Sequence, residues 1–308
     1  MVAAVIVGLG ILQRTGQLPD REPAPVALPE RVVGGYWMKW SNSRSVRLAD
    51  VDQRYNVIYL SFAQGRSGTG ALHFNQAAQS QAQFTQDVAT VRARGQRVIM
   101  SIGGEGGHID LSSQQRRQQM LDSLIQMREN EVVFDGIDWD IEQAVIDADG
   151  MHWVSMQLKQ RYGQNFAITA APQGHRVEYK QFAQRMGSNL DFIGIQYYEY
   201  PTETAEERIG GARHHTQELV EQYGIPADKI VIGMMVVDED TGQYAPAGPS
   251  RFWTVQSSQE GWRFLQERFP DLRGVYLWEI SGDARLGGAW VQNLAPEVAA
   301  AGEQPTDG

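Results

Sequence analysis

"FDGIDWDIE", residues 134–142, reads as a buried β-strand into which four carboxylates have been set: Asp135, Asp138, Asp140 and Glu142. Acidic side chains are rarely fully buried unless they are paired or put to use. Residues two apart on a strand share a face, so Asp138, Asp140 and Glu142 are expected on one side and Ile137, Trp139 and Ile141 on the other. The apolar set would pack against helices. The acidic set would climb the inside of a barrel, with Glu142 uppermost at its mouth. Carboxylates this close cannot all stay ionised in a low-dielectric interior, so protons are shared and at least one carboxyl should titrate above its ordinary range. A top carboxyl held protonated by the two beneath it is what a general acid needs at neutral pH.

A structural role and a metal-binding role compete with acid catalysis here. The acids would be structural if Arg or Lys from neighbouring strands paired with them, but the other strands carry almost no basic residue at their centres. They would suit a hard cation, but the spacing lacks the mid-loop glycine of an EF-hand and no His stands nearby to suggest zinc. Neither a metal nor a cofactor is expected.

The acidic strand is the fourth of eight. The others are "RVVGGYW" (31–37), "NVIYLSFA" (56–63), "QRVIMSIGG" (96–104), "FAITAAPQ" (166–173), "LDFIGIQYYE" (190–199), "KIVIGMMVV" (229–237) and "RGVYLWEIS" (273–281), with the fourth taken as 132–142. Helical stretches fall between them, at 80–94, 113–130, 150–162, 206–223 and 257–268, with a last one at 288–300. The connections 38–55 and 174–189 have room only for short helices. Val- and Ile-rich strands alternating with helices imply parallel strands buried on both faces, and eight such units close into a (β/α)8 TIM barrel over residues 31–300. An open doubly wound sheet is the rival, but "SIGGEGG" (101–107) does not match G-x-G-x-x-G. In a barrel the chemistry sits at the C-terminal ends of the strands. Tyr36 and Trp37, Phe62, Gly104 in the "GGEGG" after strand three, Gln173, the Tyr197–Tyr198–Glu199 cluster and Trp278 with Glu279 all gather there with the acids.

Composition narrows the function. The chain has 308 residues, 42% hydrophobic and 21% charged, which is enough for a full-sized core. A net charge of −10, with no run of basic residues longer than a pair, argues against nucleic acid as a partner. Cysteine is absent, which removes disulfides, thiolate chemistry and cysteine zinc sites. The run "VAAVIVGLGIL" (2–12) has the length of a signal-peptide core and is too short to span a bilayer by itself. Four prolines follow within residues 14–30. Residues 1–30 are thus expected to be an export or anchor remnant plus linker, and 301–308 a disordered tail. That makes the protein secreted or anchored at the cell envelope, with no stable membrane span in the rest of the chain, and a monomer. The pair His214–His215 lies on a helical stretch and reads as solvated surface.

At this point a family resemblance becomes specific. "FDGIDWDIE" is similar to the D-x-x-D-x-D-x-E signature of glycoside hydrolase family 18, the chitinase family, and "SIGG" (101–104) to its S-x-G-G motif. With the late tryptophan of "YLWEISGD" (276–283), the resemblance covers about residues 31–296. It implies Glu142 as the acid that protonates the glycosidic oxygen, Asp140 as the group that orients the substrate's N-acetyl, and Asp138 as the buried partner sharing a proton with Asp140. Tyr198 would position the acetamido carbonyl and Trp278 would form the base of the sugar site, with Tyr36, Phe62 and Gln196 as neighbours. The substrate so implied is chitin or a chitooligosaccharide, cleaved with retention by a substrate-assisted route. An endo-β-N-acetylglucosaminidase acting on N-glycan cores, or a non-catalytic chitin-binding lectin on the same fold, would use the same frame. Two positions depart from the pattern: Glu199 stands where the family has Asp or Asn, and Glu105 where many members carry a Trp after S-x-G-G. The segment 238–273 is too short for the α+β insertion that deepens the cleft in one branch, so a shallow groove and endo-cleavage are expected.

Overall fold

The computed structural model describes residues 23–38, 46–75, 80–174, 176–198, 202, 204–236 and 251–301. The strands are β1 (Val32–Met38), β2 (Val57–Gly65), β3 (Leu72–His73), β4 (Arg97–Gly103), β5 (Gly136–Asp140), β6 (Ala167–Ala170), β7 (Phe192–Gln196), β8 (Ile230–Met235) and β9 (Gly274–Trp278). All pair in parallel with their neighbours except β3, which lies antiparallel on the end of β2. Pairing of β1 with both β2 and β9 closes the other eight into a ring. This is the (β/α)8 barrel that the alternation of strands and helices predicts.

The helices are α1 (Gln81–Ala93), α2 (Gln114–Asn130), α3 (Ala148–Tyr162), α4 (Val177–Met186), α5 (Ala205–Glu221), α6 (Val255–Arg268), α7 (Ile280–Arg285) and α8 (Ala289–Ala300). Ser80, Ser113, Asp147, Thr204 and Thr254 start five of them, each accepting the backbone N–H three residues on. The connection 174–189, expected to hold only a short helix, carries the 10 residues of α4.

Apolar side chains segregate by strand parity. Ile137 and Trp139 pack outwards with the helices, where Trp139 Nε1 donates to Ser155 of α3 (3.0 Å) and its ring meets Phe182 of α4 edge-on (6.5 Å). A second cluster fills the barrel interior: Val32, Tyr36, Tyr59, Phe192, Val231, Met235 and Tyr276, with Trp278 above them. Room for so large a ring as Tyr276 comes from missing side chains, since a Cβ on Gly233 would lie 2.3 Å from its hydroxyl.

Several strands end earlier than the sequence suggests, although β1 and β2 run on to Met38 and Gly65. β5 stops at Asp140, β6 at Ala170, β7 at Gln196 and β9 at Trp278, while Glu279 already caps α7 by accepting the Ser281 N–H (3.1 Å). Most of the residues just beyond these ends are buried, which is why the sequence reads on as strand. At the opposite end, residues 23–30 lie across the N-terminal ends of the strands. Leu28 is buried in the interior cluster, and the carbonyls of Pro23, Ala27 and Pro29 accept from Arg128, Arg97 and Arg273. This part of the proline-rich stretch is packed against the barrel; residues 1–22 and 302–308 lie outside the described residues. Among the described residues no helix is long and apolar enough to cross a membrane.

Candidate active site

The four acids of the opening stretch separate by depth. Asp135, just before β5, lies at the closed end. Arg92 of α1 grips it with Nη2 (2.6 Å) and Nε (3.2 Å), and it accepts the Val98 N–H (3.1 Å). One acid of the four is therefore structural. Its cation comes from a helix, which is why the scarcity of basic residues in the strands gave no hint of it.

Asp138 stands in mid-barrel, 1% exposed. The register sets Ser101 of β4 and Thr169 of β6 on either side of it. Oδ2 accepts from Tyr36 Oη (2.9 Å) and Ser101 Oγ (2.8 Å), and Oδ1 from Thr169 Oγ1 (2.7 Å). Burial raises this carboxyl above its ordinary range, and the three hydroxyls pull against that rise. Tyr36, expected as a sugar neighbour, is itself 1% exposed, stacked on Tyr59 (4.5 Å) and set beneath Trp278 (5.4 Å). Its hydroxyl is committed to Asp138 and it offers almost no surface to a ligand. Ser101 and Thr169 were missed as site residues. The signal available was a lone hydroxyl at an inward position of an otherwise apolar strand.

Asp140 ends β5, and Glu142 lies two residues beyond it, half-buried and off the strand. The ladder of three acids on one strand is thus a strand pair plus a loop acid. Gln196, at the end of β7, joins the upper two. Its amide nitrogen lies 2.9 Å from Asp140 Oδ1, 3.3 Å from Glu142 Oε1 and 3.2 Å from the Ala171 carbonyl. Gly104 holds the same peptide from the other side, donating its N–H to the Asp140 carbonyl (2.7 Å). Its φ of +69° is one that side chains disfavour, and a Cβ there would sit 2.5 Å from the Phe62 ring.

An aromatic wall rises beside the acids. Phe62 stacks on Trp278 at 5.7 Å and 18°, and Trp278 is only partly buried. The peptides Ser61–Phe62 and Trp278–Glu279 are cis. Tyr198 packs with the interior cluster beneath that mouth, whereas Tyr197 turns outwards to stack on His215 (5.6 Å) and to meet Thr216 (3.4 Å). His215 is therefore half-buried rather than solvated; His214 is exposed. Phe252 packs against the interior cluster and was not anticipated. Gln173 is half-buried in the loop after β6, and Glu105 is exposed. Glu199 and most of the acidic loop 236–244 lie outside the described residues. Among the described residues no group of three or more His, Asp or Glu is placed to hold a metal ion.

A mouth with a buried hydroxyl-held acid, two further carboxylates sharing one amide, and a partly buried tryptophan suits proton transfer to a ring-shaped polar substrate. Comparison with known proteins agrees. The model of "Glycosyl hydrolases family 18" matches residues 32–267. A chitinase from Enterococcus faecalis is 27% identical over 92% of this chain and 90% of its own length. Among solved structures, a putative chitinase A from Streptomyces coelicolor superposes with a TM-score of 0.75 at 24% identity, covering 88% of this chain and 99% of that one. A chitinase-like agglutinin from Robinia pseudoacacia shares the fold at a TM-score of 0.63 and 19% identity, covering 85% and 98%. The chain belongs to glycosyl hydrolase family 18 and is a glycoside hydrolase.

Proposed function

We propose that the protein is an endo-acting chitinase that hydrolyses β-1,4-linked N-acetylglucosamine chains with retention, the substrate supplying its own nucleophile. The observation that carries this reading is the Gln196 amide, within 2.9 Å of Asp140 and 3.3 Å of Glu142, which keeps two carboxyl groups side by side at the mouth. In the first step Glu142 gives its proton to the glycosidic oxygen. The C1–O bond breaks as the 2-acetamido oxygen attacks C1, forming an oxazolinium ion. Asp140 accepts the acetamido N–H and offsets the positive charge growing on that nitrogen. Asp138 sits below as the proton partner of Asp140, its own charge held by three hydroxyls. Water then attacks C1, returns a proton to Glu142 and opens the ring from the face that was lost, so configuration is retained. Because the acetamido group is the nucleophile, no second carboxylate needs to reach C1. Trp278, with Phe62 behind it, offers a flat apolar face to the pyranose, and Tyr198, buried in the cluster beneath, would position the acetamido carbonyl.

Endo-action is supported by the short segment 238–273 and by the exposed Glu105 in place of an aromatic platform. A polymer too large to enter a cell fits export directed by the apolar N-terminal run. A lectin on this fold has no use for a carboxyl at residue 142, and that acid is present with its supports. The test is release of chromophore from an aryl glycoside of chitobiose or chitotriose by wild type and Glu142→Gln. Loss of the acid should lower turnover by at least about 10²-fold with the fold intact. Wild type that binds chitooligosaccharide without turning it over would refute the reading.

A further inference from the structure

The β5–β6 ladder breaks where the catalytic residues begin. In register, the Ala167 N–H bonds the Asp135 carbonyl and the Ala171 N–H bonds the Trp139 carbonyl (2.8 Å). The next rung of a parallel ladder would carry the Ile141 N–H to the Ala171 carbonyl. It is not made. After Ala170 the chain leans towards β7, where Pro172 accepts the Gln196 N–H (3.1 Å) and Ala171 accepts the Gln196 amide (3.2 Å). The stranded Ile141 N–H instead donates to Tyr179 Oη at 2.6 Å. Tyr179 comes from α4, on the outer side of the barrel, and is fully buried. Its single hydroxyl hydrogen is directed at the carbonyls of Trp139 (3.2 Å) and Ile141 (3.4 Å).

We infer that Tyr179 is a positioning residue for the catalytic acid: its hydroxyl replaces the missing rung and fixes the peptide that separates Asp140 from Glu142. The two halves of the lost rung are taken by two side chains. Gln196 takes the carbonyl half and contacts both carboxylates from inside the barrel; Tyr179 takes the N–H half and holds their backbone from outside. Consecutive Cα atoms are about 3.8 Å apart, so a drift of Ile141 passes directly to Glu142. Tyr179 touches no substrate, and its effect runs through where the Glu142 proton is delivered.

This inference rests on Glu142 acting as general acid, and the experiment separates the two. Tyr179→Phe keeps the ring and its packing and removes only the hydroxyl. Values of kcat/KM are measured on chitotetraose, whose sugar leaving group needs a proton, and on dinitrophenyl chitobioside, whose leaving group needs none. A misplaced acid should cost about tenfold on the first and less than about threefold on the second. Thermal midpoints are read alongside. A purely structural role would lower both substrates equally through loss of folded protein, and that result, or no loss on either, overturns the inference. Should Tyr179→Phe fail to fold, the same bond is cut from the other side by replacing Ile141 with its α-hydroxy acid, which turns the N–H into an ester oxygen. The same leaving-group dependence is expected, and its absence counts against Tyr179 as firmly. Wild type inactive on both substrates would sink the chitinase reading first.

Discussion

Asp138 is held by hydroxyls alone, and that makes the strength of its support depend on pH. Thr169→Val is the cleanest perturbation, because Thr169 is fully buried and its Oγ1 reaches Asp138 Oδ1 at 2.7 Å. Burial raises the folded-state pKa of Asp138 above its ordinary 3.8, so the folded state binds this proton more tightly than the unfolded state does. Stability contributed by the site is therefore greatest at acid pH and falls as pH rises through the folded pKa. Removing a donor that favours the charged form raises that pKa further and carries the fall on to higher pH. A hydrogen bond to a neutral group contributes about 0.5–1.5 kcal/mol and one to a charged group about 1.5–3 kcal/mol. Thr169→Val should thus cost about 0.5–1.5 kcal/mol at the acid end of the range and about 1.5–3 kcal/mol at the alkaline end. Urea denaturation at a series of pH values measures this, with an unchanged m-value showing that the unfolded state is not the cause. A penalty that stays flat with pH, or shrinks as pH rises, would refute the view that the hydroxyl supports a charge.

Asp135→Ala removes the partner of Arg92 and strands the Val98 N–H; it should cost about 3–5 kcal/mol in urea unfolding while leaving turnover per folded molecule unchanged. Gly104→Ala should lose about 1–2 kcal/mol for its φ of +69° and more for the Phe62 contact. Gly68→Ala is its control, because φ there is +73° with open space around it, so the difference between the two Tm losses isolates the ring clash. Trp278→Ala uncovers the face of Phe62 that it stacks on and removes the indole at the mouth; KM for chitotriose should rise about tenfold.

Much of this architecture was legible because both of its periods are short. Eight apolar runs separated by helical stretches specify the barrel, and a period of two places Asp138 and Asp140 inside while Ile137 and Trp139 face out. What parity does not specify is where a ladder stops. That depends on the neighbouring strand: β6 is only 4 residues long, so β5 loses its partner at Ile141 however strand-like "DIE" reads. Supports from outside the strands were illegible for the same reason. Arg92 and Tyr179 sit on α1 and α4, where a half-buried arginine or a buried tyrosine looks like any other amphipathic-helix residue. Ser101 and Thr169 were within reach, since each is a lone hydroxyl at an inward position level with Asp138.

The identity of each acid's partner explains why one strand can carry a structural and a chemical carboxylate a few residues apart. At the closed end Asp135 is met by a guanidinium, which fixes the charge and ties α1 to the barrel. Halfway up, Asp138 is met by three hydroxyls, which stabilise a charge without cancelling it. At the mouth the side chain shared by Asp140 and Glu142 is the neutral amide of Gln196. A cation in that place would favour the ionised form and draw the proton off the acid, whereas an amide fixes direction and leaves protonation to the substrate and to the acids below. Gln196→Lys inverts this choice at one residue. It should cost more turnover of chitooligosaccharide than of dinitrophenyl glycosides, which need no proton from Glu142 but still need Asp140. Equal loss on both substrates would show that residue 196 acts through Asp140 or the bound sugar and not through the proton on Glu142.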